Sequence, residues 1–122
     1  MKIKFIHWLG IVLGMLNVPK WLYAPVQEFE FNGATGRIIT PNNDGANDIV
    51  LFKFSNPLDS GVTLNIYDVM GALVANRTAA AGANQVTWDG KDGSGSSAPG
   101  GIYIYQIDSE GKVFNGAIVV AR

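Results

Sequence analysis

No cysteine occurs in the chain, and its single histidine, His7, stands within the first 24 residues. Beyond that stretch neither a Ser-His-Asp nor a Cys-His nucleophile arrangement can be assembled, and zinc or copper sites lose their usual ligands. The lack of cysteine also excludes a lipid-modified N-terminus of the bacterial lipoprotein kind. Basic blocks are missing too. Nine Lys and Arg are scattered against ten Asp and Glu, so a nucleic-acid partner has no electrostatic footprint. What remains for catalysis is carboxylate chemistry, yet Asp44, Asp48, Asp68, Asp89 and Asp92 all stand in turn-like contexts containing Gly or Asn. Such side chains mostly hydrogen-bond their own backbone. The residue types present therefore lead to the expectation of a non-enzymatic domain.

A chain of 122 residues, 48% apolar, is long enough for one domain with a core of its own and too short for two. Its 15 glycines fall between apolar runs without a period and mark turns between short strands. At the N-terminus, Lys2 and Lys4 precede an apolar stretch at 5–18 broken only by His7 and Asn17, and Leu22-Tyr23-Ala24 closes it. That is the plan of a Sec-type signal peptide. The apolar stretch, about 14 residues, is shorter than the roughly 20 that span a bilayer as a helix, so no stable membrane span is expected after its removal. The sequence thus divides into a signal peptide at 1–24, a linker at 25–36 and a folded domain at 37–122. Export to the periplasm, the outer surface or the extracellular space follows. Without the leader, six basic residues face ten acidic ones, a net charge of −4, which makes the exported part mildly acidic.

Downstream of the leader, short apolar runs recur at the roughly 8 to 12 residue spacing of a β-sandwich. They give strand candidates at 37–40, 49–54, 62–67, 73–77, 85–89, 101–108 and 112–120, and Phe29 and Phe31 offer a further edge strand within the linker. Val62, Leu64 and Ile66 alternate with Thr63, Asn65 and Tyr67, one set facing a core and the other facing out. Residues 102–107 are apolar on both faces, so that strand is expected at the centre, covered on each side. Trp88 is the natural plug between two sheets, and with Leu64, Ile66 and Tyr103 it makes the expected core. Asp68-Val69-Met70-Gly71 and Asp108-Ser109-Glu110-Gly111 carry Asp first and Gly fourth, the type I preference, and predict two tight hairpins. Asn115-Gly116 inside the last run predicts a bulge or kink.

One loop carries ligand chemistry. Asn42-Asn43-Asp44-Gly45-Ala46-Asn47-Asp48 gathers five oxygen-bearing side chains around a glycine, and hard oxygens on a tight loop suit Ca²⁺. Asp44, Asn47 and Asp48 are the candidate ligands. The spacing is not that of an EF-hand: with Gly45 at the sixth position, Thr40 and Leu51 fall where acidic ligands are required. The same loop reads as a chain of Asx turns, the commoner use of Asn and Asp. No other cofactor is expected.

The run Val62-Thr63-Leu64-Asn65-Ile66-Tyr67-Asp68-Val69-Met70-Gly71-Ala72-Leu73-Val74, then Trp88-Asp89-Gly90-Lys91-Asp92, then Gly101-Ile102-Tyr103-Ile104-Tyr105 resembles the immunoglobulin-like domain of the flagellar hook-capping protein, the FlgD-like fold. Thr40-Pro41-Asn42-Asn43-Asp44-Gly45-Ala46-Asn47-Asp48 and the closing residues 116–122 are similar to the gliding-motility-associated C-terminal domains that serve as type B sorting signals in type IX secretion. The resemblance implies an all-β, immunoglobulin or fibronectin III-like sandwich of about seven antiparallel strands behind a signal-peptide helix. It also implies a non-enzymatic module for assembly, attachment or export, whose partners are other secreted or envelope proteins and the secretion machinery. The alternative reading is a small extracellular sandwich that binds carbohydrate or Ca²⁺ through its loops.

Overall fold

The computed structural model describes residues 27–122; the expected signal peptide at 1–24 lies outside the described residues. Among the described residues there are eight strands: β1 (Glu30–Thr35), β2 (Ile38–Ile39), β3 (Val50–Ser55), β4 (Thr63–Asp68), β5 (Leu73–Thr78), β6 (Gln85–Trp88), β7 (Gly101–Ser109) and β8 (Lys112–Val120). They form a three-stranded sheet in the order β1-β3-β6 and a five-stranded sheet in the order β2-β8-β7-β4-β5. The two sheets face each other as an immunoglobulin-like β-sandwich, with no helix among the described residues.

Period-two alternation decides which side of each strand faces the core. Val50, Phe52 and Phe54 of β3 and Val86 and Trp88 of β6 point inward from the smaller sheet. Leu64 and Ile66 of β4, Tyr103, Tyr105 and Ile107 of β7, and Ile118 and Val120 of β8 meet them from the larger one. Trp88 is fully buried, its ring edge-on to Tyr103 of the opposite sheet at 5.4 Å between centroids, with Nε1 donating to the Lys91 carbonyl at 2.8 Å. The indole thus ties one sheet to the other and anchors the turn that follows its own strand.

Four local expectations change. Within the expected linker the edge strand that Phe29 and Phe31 offered is present, since β1 pairs along β3 and Phe29 is buried against Phe54 and Phe114, so the folded part takes in residues 29–35. Gly33 sits at a register shift with φ of 107°, a backbone that L side chains rarely adopt. The strand expected at 37–40 shrinks to β2, which runs parallel to β8, so the sandwich has eight strands and one parallel pair. The hairpin after β7 is a two-residue turn, Glu110-Gly111, with both φ values positive at 53° and 73°. That is the type I′ geometry, whose twist matches the flanking strands, and it shifts the turn one residue from the expected type I frame.

Asn115-Gly116 makes no bulge: β7 and β8 pair without interruption from Gly101↔Val120 to Ser109↔Lys112. Glycine is required there for another reason. Tyr105 stands directly opposite and lays its ring over the backbone, and a Cβ on residue 116 would clash with that ring.

Candidate docking surface

The larger sheet leaves its outer face open, and one end of that face is apolar. Strand β7 lies at the centre of the sheet between β8 and β4, but its outward residues Ile102 and Ile104 are uncovered. Ile102 stands opposite Val119 of β8, and Val119 opposite Ile38 of β2. In the next row Ile104 faces Tyr67 of β4, and Tyr67 faces Leu73 of β5. Ile38, Ile102 and Leu73 are each more than half exposed, and the β4–β5 turn beside them leaves Val69 and Met70 largely exposed to solvent. Contiguous exposed apolar surface of this kind marks interaction sites on soluble domains.

The apolar end runs into a groove of about 850 Å³ between β5 and the segment 92–101, walled by Asp68, Leu73, Val74, Pro99, Ile102 and Tyr103. Each wall is fixed by hydrogen bonds. Gly93 N–H donates to the Val74 carbonyl at 3.0 Å, which occupies part of the free edge of β5. Asp92 Oδ1 accepts from Ser94 Oγ, Ser94 N–H and Ser96 N–H. These bonds, the serine hydroxyl first, hold its carboxyl below the usual carboxylate range. Tyr103 donates its phenol to the Pro99 carbonyl at 2.5 Å, and burial pushes that phenol's pKa up. From behind, the Arg122 guanidinium donates to the carbonyls of Ala98, Gly90 and Pro41 at 2.7, 3.3 and 3.4 Å and draws three segments together. A preformed, half-apolar cleft of this sort is built to receive a side chain or a strand.

The candidate Ca²⁺ ligands stand in a loop closed by its own amides. Asp48 accepts from Asn42 N–H and Asn43 N–H through Oδ1 and from Gly45 N–H through Oδ2. Asp44 Oδ1 accepts from Ala46 N–H, and the Asn47 carbonyl from Thr40 N–H. Asn43 and Asn47 adopt left-handed φ values of 63° and 54°, which Asn tolerates better than most residues. Among the described residues no group of three or more His, Cys, Asp or Glu is placed to hold a metal ion. A Ca²⁺ site at 100 times its Kd stabilises a fold by about 2.7 kcal/mol, a melting shift of about 10 °C or more for a domain of this size. Millimolar Ca²⁺ is expected to move the midpoint by less than about 2 °C, the response of weak screening. Differential scanning fluorimetry with and without EGTA measures it.

The other singled-out residues, Trp88, Tyr103, Leu64 and Ile66, lie together in the core. The residues that shape the open face, Ile38, Leu73 and Ile102, and the Arg122 tie were not singled out by sequence reasoning. The signal that could have found the face is the two-sided apolar run at 102–107, which reads equally as a covered strand and as an exposed contact surface.

Comparison with known proteins places this geometry. Residues 34–120 match the family described as CHU_C Type IX secretion signal domain. Among solved structures, the chain is similar to dimeric latent PorU from Porphyromonas gingivalis, at 19% identity and a TM-score of 0.48 over 81% of this chain and 10% of that one. The matched stretch is thus about a tenth of that protein's length. No curated protein matches the chain. With the match running from the end of β1 through the last residue of β8, the chain belongs to the type IX secretion signal domain family.

Proposed function

We propose that this chain works as a non-catalytic sorting domain, recognised by the type IX secretion machinery through the apolar end of its larger sheet and the adjoining groove. The observation that carries the reading is the uncovered central strand: Ile102 and Ile104 stay open while Tyr103, Tyr105 and Ile107 of the same run are buried. A row of β-branched side chains on the outside of a sandwich has no role in holding the two sheets together, so a partner accounts for it best. Three of the four strand edges among the described residues are poor alternatives. The edge of β5 is occupied at Val74 and crossed by Arg77 reaching towards Asp89 at 3.8 Å, β2 has two residues, and β1 carries the shift at Gly33. Short, bulged or occupied edges discourage strand addition.

Export to the cell surface or the extracellular space follows from the family. Inner-membrane passage through the Sec route rests on the sequence pattern of 1–24. The absence of Cys, and of His outside the leader, supports the non-catalytic reading.

The test uses a passenger protein fused upstream of the chain in a host with a working type IX apparatus. Leu73→Asp with Ile102→Asp puts two charges on the face without touching the core. Export of the passenger is expected to fall at least about tenfold, the scale of losing one interface hot spot, while the melting curve of the purified domain stays that of the parent. Undiminished export by a folded variant would overturn this surface as the recognition site.

A further inference from the structure

The polar half of the same outer face carries a row of four carboxamides. Asn76 of β5 stands opposite Asn65 of β4, Asn65 opposite Gln106 of β7, and Gln106 opposite Asn115 of β8. The four side chains cross four adjacent strands in one line. At about 4.8 Å per strand the row is about 14 Å long. Two internal bonds hold it in place: Asn76 Nδ2 donates to Asn65 Oδ1 at 2.6 Å, and the Tyr67 hydroxyl donates to Gln106 Oε1 at 3.1 Å. Both bonds consume the carbonyl oxygen of the receiving amide, so Asn65 and Gln106, on neighbouring strands, keep their N–H₂ groups for an outside acceptor.

We propose that this row is a binding site for a neutral, extended glycan chain. The N–H₂ groups of Asn65, Gln106 and Asn115 remain as donors and the carbonyls of Asn76 and Asn115 as acceptors, together the complement of hydroxyl pairs on a sugar ring, and the groups repeat at about one ring length along a straight line. The row on one side, Leu73, Tyr67, Ile104 and Ala117 in register, supplies an apolar ledge for the C–H faces of the rings. On the other side lie Thr78, Thr63, Asp108 and Val113. Asp108 is the one carboxylate or ammonium in these three rows, so the face offers a charged ligand no array of counter-charges and fits a polyol. A protein partner would be expected to find aromatic, Met or Arg anchors at the centre of its interface. Here the centre is amide, already oriented, and preorganised hydrogen-bonding groups at regular spacing suit a regular polymer. The site lies on a sheet face, away from the loops; it shares the Leu73, Tyr67 and Ile104 row with the docking end, and oligomer binding and passenger export read the two proposals separately.

The experiment follows the side-chain amide resonances of the ¹⁵N-labelled protein during titration with two neutral glucose oligomers of equal length, each long enough to cover the row. One is β-1,4-linked and extended; the other is α-1,4-linked and curls away from a straight row. Shifts are expected at Asn65, Asn76, Gln106 and Asn115 with the extended oligomer and not with the curled one. Gln106→Ala combined with Asn115→Ala should weaken binding at least about tenfold, the loss of two or more hydrogen bonds, with an unchanged melting temperature and unchanged export of a passenger. Absence of shifts at millimolar oligomer, equal response to both linkages, or full binding by the double variant would overturn the proposal. Capture of an envelope protein that the double variant no longer retains, without oligomer binding, would reassign the row to a protein partner.

Discussion

Replacing Trp88 by alanine is expected to cost about 3 to 5 kcal/mol of folding stability, the range for deleting a large buried aromatic. Small domains are stable by about 5 to 15 kcal/mol, so the variant should stand near the edge of unfolding at ambient temperature. The size of the effect follows from three losses. The cavity opens between the sheets, where Tyr103 loses its edge-on partner. The Lys91 carbonyl loses the indole N–H that satisfies it. The turn after β6, which that carbonyl anchors, is the one the Arg122 guanidinium grips at Gly90. Trp88→Phe separates these contributions in part, because it keeps a six-membered ring against Tyr103 while removing the donor and the pyrrole half; a loss of about 1 to 3 kcal/mol, smaller than for alanine, is expected for it. Urea denaturation followed by circular dichroism measures both. A loss under about 1 kcal/mol for the alanine variant would mean that the sheets pack without the indole, and the account of the core given above would fail.

Much of the architecture was legible because strand periodicity is a local property. Val62, Leu64 and Ile66 declare their face within six residues, and the Asp68 to Gly71 turn is written in its own residues. Asp68 Oδ1 accepts from Met70 and Ala72 N–H, and Gly71 takes φ of 85°. What stayed hidden depends on residues distant in sequence. The frame of the β7–β8 hairpin is an example. Asp108 and Gly111 favour a type I turn locally, but Glu110 is pulled into the left-handed region, where its carboxylate accepts from Phe29 N–H and Ser60 Oγ, residues 81 and 50 positions away. Gly116 is another. Its neighbour Asn115 suggests a bulge, while the actual constraint is the ring of Tyr105 on the next strand.

The candidate site was harder to see than the fold for a related reason. A strand apolar on both faces is normally covered on both, and nothing within 102–107 tells that the second cover is absent. Whether a face is open depends on how many layers the chain supplies, and the described residues supply two. The carboxamide row is likewise invisible in sequence, since positions 65, 76, 106 and 115 become neighbours only through the pairing of four strands.

The strand by which the chain enters the domain should prove as necessary as the core. Phe29 is buried between Phe54 and Phe114, with ring centroids at 5.3 and 6.0 Å, and Phe31 leans on Tyr105 and Phe114 at 5.9 and 5.5 Å. Charge pins the same residues: Lys112 pairs with Glu28 at 2.9 Å, and Glu110 holds Phe29 N–H. Phe29→Ala is expected to cost about 3 to 5 kcal/mol, although residue 29 precedes the family match, which begins at 34. A fragment starting at Gln27 should unfold cooperatively in urea, whereas one starting at residue 34 should show no cooperative transition. A pH series identifies the role of Glu110. The Ser60 hydroxyl, and after it the Phe29 amide, lower its carboxyl pKa from the ordinary 4.5. A depressed folded-state pKa contributes stability that is present above the unfolded value and is lost as pH falls through the folded one. Glu110→Gln should therefore destabilise the domain at neutral pH and remove part of the decline in stability below about pH 4.5. If the fragment from residue 34 melts as sharply as the one from 27, the working domain begins where the family match does, and residues 28–31 are only an attached edge.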